Sequence, residues 1–348
     1  MNSFKKALAI ALAAALCTCA VGCGKKEEPL PVLAGDEVVM NIGSYDITAD
    51  EYNYYFLYQK YSLDNGDSSY WTSSGAGSEE LAEYSDVIKE YVNGTILETY
   101  ALSVMCDNAG IAVTDEIKAQ VENDINTISS YYGGVEAFEE MLGTSNLTLD
   151  LYRSMSIENQ RTSLLFEEVM SDELRANAAE NYLRAAHILV MPDETAVDQA
   201  AARKDALARA EEILVLVNSG EDFFKLVDAY NEDPGMVNNR DGYYFTEGDM
   251  VTPFYEGAMA LADNEVSGIV ETDYGYHIIK RLPMEDEYIN THLSEFATND
   301  HYTAFYEEVA KVQETLEYTT TETYNLITLE NALKLEAAAA AESEAAAG

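Results

Sequence analysis

Two short runs of apolar, β-branched residues, each carrying a histidine, constrain this chain more than any other feature. They are RAAHILV at 184–190 and YGYHIIK at 274–280, ninety residues apart. Strand periodicity places His277 and Ile279 on one face of the second run, and the residues between and beside them on the other. The chain has four histidines, and two of them mark its most strand-like segments. Each is expected to lie partly inside a core, where a lone histidine is more commonly structural than catalytic.

The residues between these runs alternate between the two kinds of secondary structure. The patterns predict a strand at 187–190, helices at 198–218 and 222–230, a strand at 243–245, a helix at 252–261 and a strand at 276–282. This β-α-α-β-α-β order predicts a separate domain at 184–283.

The N-terminus has the pattern of an export signal. Lys5 and Lys6 precede the apolar stretch 7–16, which is too short to span a bilayer comfortably, and small residues follow up to Cys23. The stretch AVGC resembles the lipobox of bacterial lipoproteins. That resemblance implies a signal peptide at 1–22, a diacylated Cys23 and a flexible tether at 23–36, and two acyl chains give stable anchoring. An ordinary secretory signal is the alternative.

Cysteine counting agrees with export. Cys17 and Cys19 leave with the signal peptide, and Cys106 is then the only cysteine besides Cys23. One free thiol forms no internal disulfide, so packing must hold the exported part together. Cys106 fits a small core residue better than a nucleophile.

The charge balance excludes one class of partner. The chain has 63 acidic and 20 basic residues, a formal net charge of −43. Nucleic acid is excluded, because binding phosphate needs a cationic surface. The plainest interpretation is a solvated acidic surface, and a preference for basic client segments is the second.

The flanking regions are helical in pattern. Residues 37–180 open with a strand-like segment and a capping box formed by Thr48 and Glu51, and amphipathic helices follow. The 25 tyrosines and 11 methionines are compatible either with a core or with a peptide groove. Helical patterning returns at 284–333, and the low-complexity end 334–348 is expected to be a loose tail.

The middle segment resembles a parvulin-type (PpiC, rotamase) peptidyl-prolyl isomerase domain. The family's A-x-H-I-L-V strand appears at 185–190 and its T-x-x-G-Y-H-I-I-K strand at 272–280. Between them, 248–261 resembles the G-x-M-x-x-x-F segment and 264–272 resembles G-E-V-S-x-x-V-x-T. Several spaced motifs in the family's order carry the resemblance.

The resemblance implies a site. The two strands would lie side by side, with His187 and His277 as a hydrogen-bonded pair and Asp233 beside them as the third catalytic residue. The implied substrate-binding residues are Phe245, Met250, Phe254 and Thr272, the first three forming a proline pocket. From the residues alone, Asp233 before Pro234 is equally a turn former, and Met250 with Phe254 is equally a core contact.

Two departures from the family pattern bear on activity. Where many parvulins have G-G-D-L-G, this chain has NRDGY at 239–243, which predicts low or absent activity as one outcome. Acidic residues follow the first strand at 193–194 and 198, where phospho-specific parvulins have basic ones. A phosphoserine-proline preference is therefore not expected.

The whole arrangement resembles PrsA-type foldase lipoproteins with SurA-like chaperone regions. The resemblance implies an α+β fold: a mostly helical N- and C-terminal chaperone module with one inserted parvulin-like domain, a small antiparallel sheet flanked by helices. Residues 284–333 would pack on that module. The implied function is a peptidyl-prolyl isomerase and chaperone, lipid-anchored outside the cytoplasm of a bacterial cell. The alternative is a chaperone with an inactive parvulin domain.

The expected partners are unfolded or partly folded exported proteins with X-Pro segments, and the membrane through the lipid. No cofactor is expected. The histidines show no metal-ligand spacing, so no metal site is expected either. A dimer is allowed, and the sequence does not decide the oligomeric state.

Overall fold

The computed structural model describes residues 33–72 and 77–347, with side chains described at 33–71 and 77–341. The predicted signal peptide 1–22 and the lipidated Cys23 lie outside the described residues. The chain forms two compact units, one comprising residues up to 166 together with those from 304, the other Glu167–Thr303. Among the described residues, no helix combines the length and the apolar character needed to cross a bilayer.

The secondary structure is mainly helical. The strands are β1 Val38–Ile42, β2 Tyr45–Thr48, β3 Leu183–Val190, β4 Tyr243–Phe245, β5 Val266–Thr272, β6 Gly275–Leu282 and β7 Tyr318–Thr320. The helices are α1 Ala49–Asp64, α2 Ser69–Thr72, α3 Ser78–Asn108, α4 Asp115–Tyr132, α5 Val135–Gly143, α6 Leu149–Val169, α7 Ser171–Asn181, α8 Gln199–Asn218, α9 Phe223–Tyr230, α10 Thr252–Met259, α11 Asp286–Thr291, α12 Asn299–Gln313 and α13 Leu329–Ala347.

The first unit joins residues from both ends of the chain. Its sheet has the order β2-β1-β7, and Met40 on β1 pairs antiparallel with Thr320 on β7. Leu329 and Ala332 at the start of α13 enter the same apolar core as β1, α1 and α3. The N- and C-terminal regions thus form one module, which confirms this part of the predicted fold class.

Helix starts in this unit follow the predicted capping chemistry only in part. The Thr48 hydroxyl accepts a hydrogen bond from the Glu51 amide at 3.4 Å, so α1 begins where expected. The Glu51 carboxylate does not complete the capping box. It accepts hydrogen bonds from the Tyr100 hydroxyl at 3.1 and 3.2 Å instead.

The second unit is built on a four-stranded antiparallel sheet of order β4-β3-β6-β5. One face packs on α8 and α9 through residues such as Ile188 and Ile278. The other face packs on α10 through Ala185 and Ile279. The alternation predicted for the two histidine runs is therefore confirmed, and both histidines belong to the α10 face.

Three local expectations were wrong. The middle segment has four strands rather than three, because Val266–Thr272 pairs with β6. The predicted loose tail is helical, since α13 continues to Ala347. The end of the predicted tether is packed, because Leu33 contacts the core and the Gly35 carbonyl accepts the Asp50 amide at 3.0 Å. The boundaries proposed for the isomerase domain, 184–283, stay a prediction.

Candidate active site

Strand register brings the two histidines together. His187 on β3 pairs with Ile279 on β6, and Leu189 pairs with His277. The two histidines are therefore diagonal neighbours on one face of adjacent strands, a spacing that aromatic rings can bridge. Their ring centroids lie 5.1 Å apart, and both side chains are buried.

The predicted hydrogen bond between the two imidazoles is not formed. His187 Nε2 lies 3.0 Å from Asp233 Oδ2, and His277 Nε2 lies 2.9 Å from Thr272 Oγ1. The two Nδ1 atoms are buried and have no hydrogen-bond partner in the structure. Each ring is instead held from its outer side, because Asp233 approaches from beyond β3 and Thr272 lies on β5, beyond β6. The two histidine rings are therefore neighbours, but each forms its hydrogen bond with a different residue.

Asp233 is held against β3 by its own loop. The Asn231 side-chain oxygen accepts the Leu189 amide at 2.8 Å, and its Nδ2 donates to the Asp233 carbonyl at 3.1 Å. The Gly235 amide donates to Asp233 Oδ1 at 2.9 Å, so the aspartate caps the turn and faces His187 at once. Both interpretations of Asp233, turn former and histidine partner, are therefore correct in geometry.

The Asp233 carboxylate is strongly favoured in its ionised form. Its hydrogen bond to His187 lowers its pKa to about 2, with support from the Gly235 amide and the Tyr243 hydroxyl and against the effect of burial. Tyr243 donates to Oδ2 at 2.8 Å. Because an ionised carboxylate only accepts hydrogen bonds, His187 must carry its proton on Nε2. Asn231 and Tyr243 were not predicted as site residues. Only their positions, two residues before Asp233 and at the start of β4, could have suggested them.

Replacing Gly235 by alanine tests the Tyr243 contact. A Cβ at this position would lie 2.3 Å from the Tyr243 hydroxyl oxygen, so the tyrosine must move away from Asp233. Losing one hydrogen bond to a charged group costs about 1.5–3 kcal/mol, so we expect the isomerase kcat/KM to fall about tenfold. Gly268→Ala on β5, where a Cβ would meet no atom within 4 Å, is the control substitution. An unchanged rate in Gly235→Ala would exclude a role for the contact.

His277 is neutral over the ordinary pH range. Burial lowers its pKa from 6.5 to about 4, and the neighbouring His187 adds to the effect. Thr272 Oγ1 also accepts the Tyr274 amide at 3.1 Å and is itself buried. Thr272, predicted to bind substrate, is placed beneath His277, where it fixes the direction of the ring.

The depressed pKa of His277 gives a pH prediction. The unfolded state binds this proton near pH 6.5 and the folded state only near pH 4, so stability is complete above 6.5 and falls as pH drops through 4. Protonation of His277 should therefore lower the isomerase activity only as the pH approaches 4. A rate profile on the full-length chain checks this, with NMR titration of the His277 ring. A His277 ring that titrates near pH 6.5 would contradict the assignment.

Aromatic side chains form the apolar part of the site. The Phe254 ring on α10 lies 5.1 Å from the His187 ring and 5.3 Å from the His277 ring, in edge-on geometry. Phe245 on β4 lies 5.7 Å from Phe254, and both phenylalanines are buried. Met250 is half-buried and packs on the same cluster. The structure therefore brings Phe245, Met250 and Phe254 together beside the histidines.

The altered loop at 239–243 keeps a defined conformation. Gly242 has φ +101°, and a Cβ there would lie 3.1 Å from the Ala185 carbonyl, so the shifted glycine is required for the close approach to β3. The buried Arg184 guanidinium donates to the Asp241 carbonyl at 2.6 and 3.0 Å. The loop thus has a defined local structure that brings the Tyr243 hydroxyl to Asp233.

Comparison with known proteins identifies relatives of this chain. Residues 170–283 match the family described as the PPIC-type PPIase domain. Foldase protein PrsA of Halalkalibacterium halodurans is 32% identical over 225 residues, which cover 60% of this chain and 62% of that protein. Foldase protein PrsA of a Geobacillus species is 30% identical over 236 residues, which cover 65% of this chain and 76% of that protein. The crystal structure of PrsA from Bacillus subtilis shares 22% identity over 81% of this chain and 93% of its own, with a TM-score of 0.32.

The match with the H. halodurans protein spans less than two thirds of its length, and that with the Geobacillus protein spans more. The family match also covers both histidine strands, the Asp233 loop and α10. The chain therefore belongs to the PrsA foldase family and carries a peptidyl-prolyl cis-trans isomerase domain of the parvulin type.

Proposed function

We propose that this chain is a membrane-anchored foldase that acts outside the cytoplasm, isomerising X-Pro bonds of exported proteins and holding them while they fold. One observation carries the enzymatic half of the proposal. Phe254 contacts both imidazoles at once, so an apolar surface adjoins a polar pair whose rings are held by Asp233 and Thr272.

The chemistry of prolyl isomerisation suits such a site. Rotation about a peptide bond has a barrier of about 18–20 kcal/mol, because resonance must be broken. A site lowers this barrier by binding the twisted amide better than either planar form, and excluding water strengthens the effect. No covalent bond to the substrate is required.

Each residue then has a role. Phe245, Met250 and Phe254 would bind the proline ring, while His187, Asp233 and His277 would form the polar side of the catalytic site. Thr272 is a positioning residue that acts through His277. Asp233 leaves no place for a thiol nucleophile at this position. Cys106 is in the other unit, where burial raises the pKa of its thiol to about 11.

The anchoring proposal rests on the sequence around Cys23. Replacing Cys23 by alanine in the producing cell should abolish incorporation of a labelled fatty acid into the protein. Replacing Cys19, which lies inside the predicted signal peptide, should leave the incorporation unchanged. Equal incorporation in both variants would exclude lipidation at Cys23.

A chaperone with a silent isomerase domain is the second candidate. The observation that favours it is the burial of Phe245 and Phe254, which are 1% and 2% exposed. A proline ring can reach them only if Met250 or the adjoining loop moves aside.

Refolding of a protein with a slow, proline-limited phase separates the two candidates. The full-length chain should accelerate the slow phase at substoichiometric amounts and also suppress aggregation of the unfolded protein. Suppressed aggregation with an unchanged slow phase, even at an equimolar amount, would favour the silent-domain candidate.

A further inference from the structure

A cleft lined by tyrosines opens between α1 and α3 in the first unit. It has a volume of about 160 Å³ and is lined by Tyr54, Tyr55, Tyr58, Gln59, Val92 and Thr95. Its floor is Val92, which is 1% exposed, and its outer wall is Tyr58, which is 64% exposed. A cavity of roughly 150 Å³ admits a benzene ring, so the cleft can accept one aliphatic or aromatic side chain.

The walls of the cleft are fixed before any partner binds. Tyr55 packs on the main core of the unit, and Tyr54 packs on the separate cluster formed by α4, α5 and α6. The Tyr54 ring lies 5.3 Å from that of Tyr55 and 6.3 Å from that of Tyr58. Binding therefore requires little reorganisation, which favours affinity. Tyrosine is also enriched at protein interfaces because it is apolar along its ring and polar at its tip.

The two helices that form the cleft have exposed acidic charge and no exposed basic charge. Helices α1 and α3, both fully described, contain one lysine each. Lys60 is buried and bonded to Asp64 at 2.7 Å and to Glu336 at 2.9 Å. Lys89 is buried, donates to the Tyr324 carbonyl at 3.1 Å and lies over its ring. The exposed charges of α3 are all acidic: Glu79, Glu80, Glu83, Asp86, Glu90, Glu98 and Asp107.

Exposed rings among these acids suit a cationic partner. Tyr91, one turn before Thr95 on α3, is 62% exposed. A lysine or arginine head group is attracted to the face of a tyrosine ring, and surrounding carboxylates add to the attraction. The Thr95 hydroxyl donates to the Tyr91 carbonyl at 3.1 Å, so its oxygen can still accept a hydrogen bond from the backbone of an extended chain. The Gln59 amide also lines the cleft.

We propose that this tyrosine cleft binds extended segments of unfolded client proteins in which a lysine or arginine stands two residues before and two residues after an apolar residue, so that the three side chains point to the same face. The apolar side chain enters the cleft above Val92, and the flanking cations lie over Tyr58 and Tyr91. This inference rests on the proposed foldase function and names the client segments it selects. Acidic segments are rejected, because they would place like charges against α3.

Proline-free peptides test the proposal separately from catalysis. Three labelled peptides of equal length have leucine at every fourth residue, lysine, glutamine or glutamate midway between the leucines, and serine elsewhere, so that leucines and test residues share one face of an extended chain. They are titrated with the full-length chain in nonionic detergent, with fluorescence anisotropy as the readout. The lysine peptide should bind most tightly and the glutamate peptide should not bind. Added salt should weaken the binding of the lysine peptide.

Variants then locate the binding surface. Tyr58→Ala and Thr95→Arg, both at exposed positions, should each lower the affinity for the lysine peptide about tenfold. Tyr131→Ala on α4 removes an equally large ring that is 83% exposed and should change nothing. Circular dichroism melting verifies that all three variants fold.

Two results would overturn the assignment: equal affinity for the lysine and glutamate peptides, or an equal effect of Tyr58→Ala and Tyr131→Ala. Isomerase activity on a short proline peptide is measured in the same samples. Its absence with the peptide selectivity intact would refute the catalytic proposal and leave the cleft standing.

Discussion

Replacing Phe254 by alanine should lower the isomerase kcat/KM about a hundredfold, while the helix content of the chain stays nearly unchanged. Phe254 contacts both imidazoles and Phe245, so its removal takes away the ring that joins the apolar and polar parts of the site. A hundredfold loss corresponds to about 2.7 kcal/mol of transition-state binding. The rate is measured with a short proline peptide, and the helix content by circular dichroism.

Phe223→Ala is the matched control for this prediction. Phe223 is a buried phenylalanine of the same unit, but it packs on the opposite face of the sheet, against α8. Either substitution should destabilise the unit by about 3–5 kcal/mol, so rates are compared at a temperature where both variants are folded. Equal losses of activity in the two would mean that Phe254 only packs.

Replacing Glu51 by glutamine should stabilise the first unit above neutral pH. Burial raises the pKa of Glu51 to about 7, opposed by the Tyr100 hydroxyl and assisted by the charge of Glu158. The folded state thus binds this proton more tightly than the unfolded state, whose ordinary pKa is 4.5. Stability is therefore highest below pH 4.5, falls as pH rises toward 7, and stays low above it.

Glutamine is uncharged at every pH and keeps the shape of the side chain. At pH 8, Glu51→Gln should raise the free energy of unfolding by up to about 3 kcal/mol, since one pKa unit corresponds to 1.36 kcal/mol. Denaturant unfolding at pH 4.5 and pH 8 measures the difference. Glu98→Gln, at an exposed position on α3, should have little effect at either pH. An identical fall in stability between the two pH values in wild type and Glu51→Gln would refute the prediction.

The parts of the fold that local patterns encode could be predicted from the sequence. The alternation around His187 and His277 identified two strands and the face they share. The Thr48 cap identified the start of α1. Such signals depend on residues within a few positions of one another, and tertiary packing did not override them.

Two strands that the sequence patterns did not predict, β5 and β7, depend on partner strands. β5 contains Gly268 and the exposed Glu271, which weaken a strand pattern, and it forms because β6 offers a free edge. β7 has three exposed residues and pairs with β1 from the other end of the chain. The tail was wrongly expected to be loose because its low complexity outweighed the high helix propensity of alanine and glutamate.

The candidate site was also predicted only in part. The resemblance placed the two histidines, Asp233 and the apolar residues Phe245, Met250 and Phe254 close together, as the structure does. The predicted hydrogen bond between the imidazoles was wrong. The diagonal register leaves the His187 ring bonded to Asp233 and the His277 ring bonded to Thr272. Thr272 and Asn231 act through hydrogen bonds that only the register and the loop path define.

Two-dimensional exchange NMR on a short X-Pro peptide with the full-length chain tests the central claim most directly. The account predicts exchange cross-peaks between the cis and trans forms at substoichiometric protein, together with shift changes at the Met250 methyl group and the His187 and His277 rings. An exchange rate equal to that of the peptide alone, with those signals unmoved, would contradict the assignment of this site to prolyl isomerisation.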